Sequence, residues 1–251
     1  MLSSRKRTGF TLVELLVVIG IIALLISILL PSLGRARGAA QAIKCSANMR
    51  QIGQTLIMYG VAHKNFLPLY EVGSNNYNVG RRWTHTLMAT GMLAGTPGDT
   101  VDRPYTWNET SEVFRCPSDT TVTGNSIPIT MLNVSYIPNQ ALMPGAGHTS
   151  AGPFKFTNFK NASERLWMTE KRANTGANQP YGLVYLPART RERTWGPHGS
   201  GQGDTGLMNV LFLDGHVQTM ARLEVLKAID LAIAGDPNPD PLNFWGTQYG
   251  K

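Results

Sequence analysis

The sequence predicts an α+β fold in which one long N-terminal helix, apolar in its first half and amphipathic in its second, packs on an antiparallel β-sheet domain. An apolar run extends from Phe10 to Leu30, and apolar residues then recur at helical spacing as far as about His63. The rest of the chain consists of short β-like runs separated by turns. The 251 residues include 26 Gly and 15 Pro, and only 16% are charged, which favours a loop-rich β domain over a helical bundle.

The apolar run is long enough to cross a membrane. Its 21 residues, Phe10 to Leu30, extend about 32 Å as a helix, and a hydrocarbon layer is about 30 Å thick. A secretory signal peptide fits less well, because its apolar core is usually about 7–15 residues long and precedes a small-residue cleavage site. Basic residues at positions 5–7 place residues 1–9 in the cytoplasm and the bulk of the chain outside. They also supply three of the +7 formal charges, so the remaining basic balance is modest and needs no nucleic acid to explain it.

Glu14 is the one acidic residue inside this run. A carboxylate near the middle of the hydrocarbon layer costs about 2.5–3.5 kcal/mol, so we expect a cationic partner for it. The segment from Gly9 to Glu14, Gly-Phe-Thr-Leu-Val-Glu, resembles the processing site of type IV pilins and type II secretion pseudopilins. The resemblance implies that prepilin peptidase cuts between Gly9 and Phe10 and that Phe10 is N-methylated. It also implies that Glu14 neutralises the N-terminal amine of a neighbouring subunit and so sets the register of a filament. An ordinary signal anchor with an accidental Glu is the alternative.

Pro31 lies at the end of the apolar run. We expect it to kink the helix rather than end it, because the helical pattern resumes at once. Residues 31–64 are predicted to form the amphipathic half. The apolar stripe expected to pack on the outer domain comprises Ala36, Ala40, Ile43, Ala47, Met49, Ile52, Leu56 and Tyr59.

Residues 65–220 are predicted to form a β-rich periplasmic domain, and residues 221–251 a short helix and a tail. Residues 165–168 read as a core strand. The clearest hairpin joins residues 209–213 to residues 216–220 through Asp214-Gly215, a pair that suits a type I′ turn.

The chain has two cysteines, Cys45 and Cys116. If the outer domain lies in an oxidising compartment, the two can form a disulfide. Such a bond would close a loop of about 70 residues and contribute about 4 kcal/mol in the chain-entropy treatment. Two separately buried thiols are the other interpretation, because the sequence does not place the two Cα atoms within bonding reach.

Three further segments, residues 44–53, 114–119 and 209–217, resemble a large pseudopilin-like family that is abundant in planctomycete-type bacteria. That family has a pilin-type N-terminus and a C-terminal histidine followed by Asp-Gly, here His198, Asp214 and Gly215. Fifteen residues separate His198 from Asp214, more than is usual in the family, and they include a Gly-rich stretch. A joint role of His198 and Asp214 is therefore left open.

Catalytic chemistry is not predicted. Asp204-Thr205-Gly206 lacks the second carboxylate of an aspartic protease site, and we expect no metal or cofactor. His198, Asp214 and His216 are of metal-ligating types, but a hairpin turn accounts for the latter two. Calcium stays open as a minor alternative. Carboxylates in the middle of the chain are ligands of the right kind, but they do not have the spacing of a calcium-binding loop. These carboxylates are Asp99, Asp102 and Asp119.

The resemblances imply a non-enzymatic, pseudopilin-like structural subunit in a type II secretion or type IV pilus-like periplasmic filament. It would cross the bacterial inner membrane once, with its N-terminus cytoplasmic and its C-terminal domain periplasmic. The expected partners are prepilin peptidase, other pseudopilin subunits, the inner membrane and a secretion or pilus assembly platform, whereas nucleic acid is not expected. The alternative is a membrane-tethered module that binds polysaccharide or DNA without forming a filament. Grooves near Arg81, Arg82 and Trp83 would favour that alternative.

Overall fold

A computed structural model of the chain describes residues 11–68, 71–72, 81–94, 111–119, 134–139, 142–143, 155–159, 161–170, 196–199 and 205–227. The predictions made for Gly9, Phe10, Asp99, Asp102 and Asp204 lie outside the described residues, as does the tail after residue 227. The chain divides into two compact units, residues 1–40 and residues 41–251.

The N-terminal helix, α1, spans Leu12–Ala62 and continues through Pro31. Thr11 and Glu14 cap its start. Glu14 Oε2 accepts hydrogen bonds from the Thr11 N–H at 2.9 Å and the Thr11 hydroxyl at 2.7 Å, while Thr11 Oγ1 accepts one from the Glu14 N–H at 3.3 Å. This reciprocal pair is a capping box, in which a Thr and the Glu three residues later each satisfy a backbone N–H. The kink expected at Pro31 stays a prediction.

The side chains of residues 12–40 are exposed throughout. Among the described residues, α1 is the one helix long and apolar enough to cross a membrane, and its most apolar window contains no buried residue. The hydroxyls of Ser27 and Ser32 donate back to the carbonyls of Leu24 and Leu29, at 2.7 Å and 2.8 Å. These hydroxyls therefore need no water, which suits a hydrocarbon environment.

The described part of the second unit contains two antiparallel sheets. Strands β1 (Glu71–Val72) and β2 (Arg81–Arg82) form the smaller sheet, and helix α2 (Trp83–Ala89) follows β2 directly. The larger sheet has the order β3-β4-β5-β6. Its strands are β3 (Tyr136–Pro138), β4 (Leu166–Glu170), β5 (Leu207–Phe212) and β6 (Val217–Ala221). The predicted α+β arrangement of a long N-terminal helix and an antiparallel sheet is confirmed, and β4 confirms the core strand predicted at residues 165–168.

The C-terminal half of α1 contributes a buried face to the main core of this unit. Cys45, Met49, Ile52 and Leu56 recur at helical spacing and are all 0% exposed. They share one hydrophobic cluster with sheet residues that include Leu211 of β5. The approach to the sheet is close, because a Cβ added at Gly53 would lie 2.7 Å from Leu211 Cδ1.

The prediction that the first half of the apolar stripe packs on the outer domain is wrong. Ala36, Ala40 and Ala47 are exposed, and Ile43 is 71% exposed. Cys45 begins the buried face, and two residues turn a helix by about 200°, so Ile43 lies on the opposite side from it. Because alanine side chains are small, their repeat in the sequence does not indicate which face of α1 is buried.

The opposite face of the larger sheet has a core of its own. Ile137, Leu166, Met208 and Val210 form it together with residues of the helical segment at 222–227. Val225 and Leu226 of that segment are 1% and 4% exposed. Both faces of the central strands are therefore covered, which explains why β4 is buried at every position.

The predicted β5–β6 hairpin is confirmed, but the type I′ turn is wrong. Type I′ requires positive φ at both central residues, and of the loop residues 213–215 only Gly215 has it, with φ 89°. The Gly215 N–H donates to the Phe212 carbonyl at 2.9 Å, and the Phe212 N–H donates to the His216 carbonyl at 2.9 Å. The connection is thus a three-residue loop with its glycine at the left-handed position. The Asp214 carboxylate stabilises it by accepting the His216 N–H at 3.0 Å.

Candidate functional site

Among the described residues, side chains that could bind an ion or take part in chemistry cluster in two places. The first is the start of α1, where Glu14 is surrounded by exposed apolar side chains such as Leu12, Val13 and Leu15. Both hydrogen bonds from Thr11 to Glu14 reach the same oxygen, Oε2. Within the described residues Oε1 accepts no hydrogen bond, so the carboxylate can meet a cation without leaving its cap.

The second place is a buried polar cluster of Glu170, His198 and Asn209, which are 0%, 3% and 1% exposed. His198 Nε2 lies 2.8 Å from Glu170 Oε1. Asn209 donates its side-chain amide to Glu170 Oε1 at 3.0 Å and its backbone N–H to Oε2 at 2.7 Å. A buried carboxylate is tolerable when donors surround it in this way, and each of these donors is itself fixed by the sheet.

The sheet positions each member of the cluster. Glu170 is the last residue of β4, and Asn209 alternates along β5 with Met208 and Val210, so it faces the opposite side of the sheet from them. His198 is held by backbone hydrogen bonds in both directions with Leu207, at 3.1 Å and 2.9 Å. The Thr219 hydroxyl donates to Asn209 Oδ1 at 2.8 Å and fixes the amide orientation. Among the described residues, His198 Nδ1 has no hydrogen-bond partner.

A disulfide between Cys45 and Cys116 lies directly beside this cluster, with the two Cα atoms 5.0 Å apart. It links α1 to the segment at residues 111–119, and its two cysteines are 0% and 3% exposed. Cys116 Sγ is 3.8 Å from His198 Nε2. The His198 imidazole therefore lies between the disulfide and the Glu170 carboxylate in one buried region.

His198 and Asp214 are not brought together. His198 pairs with Leu207 at the start of β5, whereas Asp214 follows the end of that strand in the hairpin loop. Asp214 instead lies 2.6 Å from His216 Nδ1 as an exposed pair. The His216 ring also stacks on Phe212, with centroids 4.3 Å apart. Asp214 thus shapes the turn, and His198 belongs to the core.

Sequence reasoning singled out His198 but missed Glu170 and Asn209. A signal for Glu170 was present, because it lies two residues after the predicted core strand at residues 165–168, and a carboxylate on a continuation of that strand needs buried donors. Asn209 gave no such signal, since Asn near a turn is ordinary in a loop as well as in a strand.

Trp83 does not line a groove. Its side chain is 2% exposed, and it packs edge-on against Phe114, with ring centroids 5.3 Å apart and planes at 88°. The aromatic that the binding-module alternative needed at the surface is part of the hydrophobic core.

A long N-terminal apolar helix, capped by Thr11 and Glu14 and followed by an antiparallel sheet, is a pilin-like arrangement. Comparison with known families finds two matches, both in the first 152 residues. Residues 4–30 match the prokaryotic N-terminal methylation motif, and residues 34–152 match the family described as a protein of unknown function (DUF1559). Residues 4–30 thus carry a prepilin-type methylation motif, and the segment after them matches a DUF1559 domain, which confirms the predicted resemblance.

The methylation motif implies processing by prepilin peptidase, and together with one N-terminal apolar helix it fits a single-pass, membrane-anchored protein. Neither family description names an enzymatic activity. No curated protein and no solved structure matches the chain.

Proposed function

We propose that this chain is a pseudopilin-like structural subunit that assembles through α1 into a type II secretion or type IV pilus-like filament. The observation that carries the proposal is the exposed apolar surface of α1 directly after a prepilin-type processing motif. In this proposal prepilin peptidase cuts between Gly9 and Phe10 and methylates Phe10. The subunit waits in the inner membrane with its sheet domain in the periplasm, and an assembly platform then adds it to the filament.

The apolar surface supports both stages. Side chains from Leu12 to Leu33 are 46% exposed or more wherever they are large and apolar. Such a surface is stable in lipid, and it is equally stable against the same surface of neighbouring copies. Transfer from bilayer to filament core therefore exchanges one apolar environment for another.

Glu14 gives the assembly a register. Its capping bonds with Thr11 hold the carboxylate at the first turn of α1, close to where processing would create a new N-terminal ammonium. The two charges are each costly in an apolar layer, and a pair between neighbouring copies lowers that cost. The pair forms at one axial offset, so the subunits align.

The test is photocrosslinking of the full chain in its own host, with a photoreactive residue in place of Leu24, which is 62% exposed. The wild-type background is expected to yield a ladder of crosslinked multimers. Glu14→Ala removes both the cap and the charge, whereas Glu14→Gln keeps a side chain that can complete the capping box. Both variants should reduce the ladder at least about tenfold, because the neighbour's ammonium is left unpaired in an apolar layer, where a lone charge costs about 2.5–3.5 kcal/mol.

The exposed Glu112→Gln is the matched control and should leave the ladder unchanged. A Glu14→Gln ladder equal to wild type would show that Glu14 serves only as a cap. A wild-type chain that is processed and membrane-bound but gives no ladder would contradict the filament and favour the tethered binding module.

A further inference from the structure

Four potential metal ligands converge in the buried region beside the disulfide. The side-chain ligand atoms of Cys45, Cys116, Glu170 and His198 all lie within 4.8 Å of one another. None of the four residues is more than 3% exposed. They come from α1, the segment at residues 111–119, β4 and the residue bridged to β5, so the fold itself assembles the set.

The distances are close to those of a tetrahedral zinc site. With Zn–S near 2.3 Å and Zn–N near 2.05 Å, tetrahedral geometry separates sulfur from nitrogen by about 3.6 Å. Cys116 Sγ and His198 Nε2 are 3.8 Å apart. His198 Nε2 and Glu170 Oε1, at 2.8 Å, would need to separate to about 3.3 Å around the same ion. The largest change is at the two sulfurs, which must part from bonding distance to about 3.8 Å.

We propose that, once the Cys45–Cys116 disulfide is reduced, these four side chains bind one Zn²⁺. Two thiolates, an imidazole and one carboxylate are a borderline-soft set that suits zinc and disfavours calcium or magnesium. The site differs from the His198, Asp214 and His216 set considered from the sequence, because only His198 belongs to both. The disulfide and the zinc ion are then alternative cross-links of α1 to the rest of the domain.

Asn209 would support this site by holding the Glu170 carboxylate in place. Its amide and backbone N–H hold both oxygens of Glu170, and such support orients a ligating carboxylate. The sheet fixes Asn209, so the carboxylate is preoriented before any ion arrives.

A phosphine converts the disulfide state into the dithiol state that binds zinc, in a balanced two-electron reaction. The phosphine transfers two electrons to the disulfide, the S–S bond breaks, and water supplies the oxygen of the phosphine oxide and the two protons of the thiols. Binding of Zn²⁺ then releases those two thiol protons to solvent, and a proton on His198 Nε2 moves to Nδ1 so that the neutral imidazole binds the ion.

The test uses the full chain purified in detergent, in oxidised form and after reduction with a water-soluble phosphine under inert gas. Zinc is titrated against a chromophoric chelator, and cobalt is used as a spectroscopic probe. The reduced chain should bind one zinc per chain, and its cobalt form should show thiolate charge-transfer and tetrahedral ligand-field bands. The oxidised chain should show neither, and because it has the wild-type sequence it controls for folding without any substitution.

Variants then assign the ligands. Cys45→Ser with Cys116→Ser should abolish the thiolate bands, and His198→Gln should weaken zinc binding at least about tenfold. If circular dichroism shows that His198→Gln is unfolded, Glu170→Gln takes its place. His216→Gln removes the exposed His–Asp pair and should leave binding unchanged. The proposal is overturned if reduced and oxidised chains bind zinc equally, or if binding survives loss of both cysteines and is lost in His216→Gln.

Discussion

Burial and the neighbouring Glu170 of the buried polar cluster both shift the pKa of Tyr136. Its side chain is 0% exposed, and its pKa is raised well above the ordinary value of a tyrosine, first by burial and then by the nearby Glu170 carboxylate. The phenol therefore stays neutral in the folded chain at pH values where an exposed tyrosine ionises. Its hydroxyl reaches the Cys45 carbonyl at 3.5 Å, a weak contact that adds little to stability at neutral pH.

This shift predicts an alkaline loss of stability. In the unfolded chain Tyr136 ionises near pH 10, while in the folded chain it does not, so the unfolded state binds fewer protons above that pH. The free energy of unfolding should fall by up to about 1.4 kcal/mol per pH unit between about pH 10 and 12, and the contribution is fully present below that window. Chemical denaturation at several pH values should show a shallower decline for Tyr136→Phe than for wild type.

Tyr59→Phe is the comparison for that experiment. The pKa of Tyr59 is also raised, by burial alone, but the residue is only half-buried, so its substitution should change the slope less. Equal slopes for wild type and Tyr136→Phe would contradict the assigned effect of burial and of Glu170.

At the scale of elements, two glycines let α1 approach its neighbours. A Cβ at Gly53 would meet the Leu211 side chain, and a Cβ at Gly60 would meet the Phe156 ring, whose Cδ2 lies 2.7 Å from it. Phe156 packs edge-on against Trp167 with centroids 5.4 Å apart, so the ring has little room to retreat. The helix then ends within the domain, with Lys64 and Asn65 at positive φ and the Asn65 N–H donating to the Gly60 carbonyl at 2.7 Å.

Gly60→Ala should lower the free energy of unfolding by about 1–3 kcal/mol, because overpacking outweighs the gain in helix propensity. Gly38→Ala is the matched control, since nothing lies within 4 Å of its added Cβ, and it should be neutral or stabilising by up to about 1 kcal/mol. Thermal or denaturant unfolding of the full chain in detergent measures both. A stabilised Gly60→Ala would contradict the close packing of α1 on Phe156.

The elements also show what a single sequence can and cannot predict. The apolar run and the repeat of Met49, Ile52 and Leu56 predicted α1, since long helical periodicity is a local signal. Met49, Ile52 and Leu56 are buried as predicted, but the start of the buried face at Cys45 was not predicted, because burial depends on where the sheet lies. The hairpin was predicted from Asp214-Gly215, but its turn type was not, because Asp-Gly also suits a three-residue loop with Gly at the left-handed position.

At the scale of the whole molecule, the processing motif and the buried cluster differ in how far the sequence reveals them. Residues 9–14 are contiguous, so the prepilin-type signal can be recognised without a structure. Cys45, Cys116, Glu170 and His198 are dispersed along the chain, and their ligand atoms meet within 4.8 Å only through the fold. The family resemblance indicated His198 and Asp214, whose long spacing left a joint role open, and the sheet keeps the two residues apart. Contacts of this kind need the topology, which a single sequence does not contain.

The central claim is that this chain matures as a pilin-type subunit, and the chemical state of its N-terminus tests that claim most directly. The full chain would be isolated from host membranes, and its N-terminal peptide analysed by mass spectrometry. The account predicts that the mature chain begins at N-methyl-phenylalanine at position 10, and that Gly9→Val leaves the leader attached, with Gly38→Ala processed normally. A mature chain that retains Met1, is cut elsewhere, or begins at unmethylated Phe10 would contradict the account.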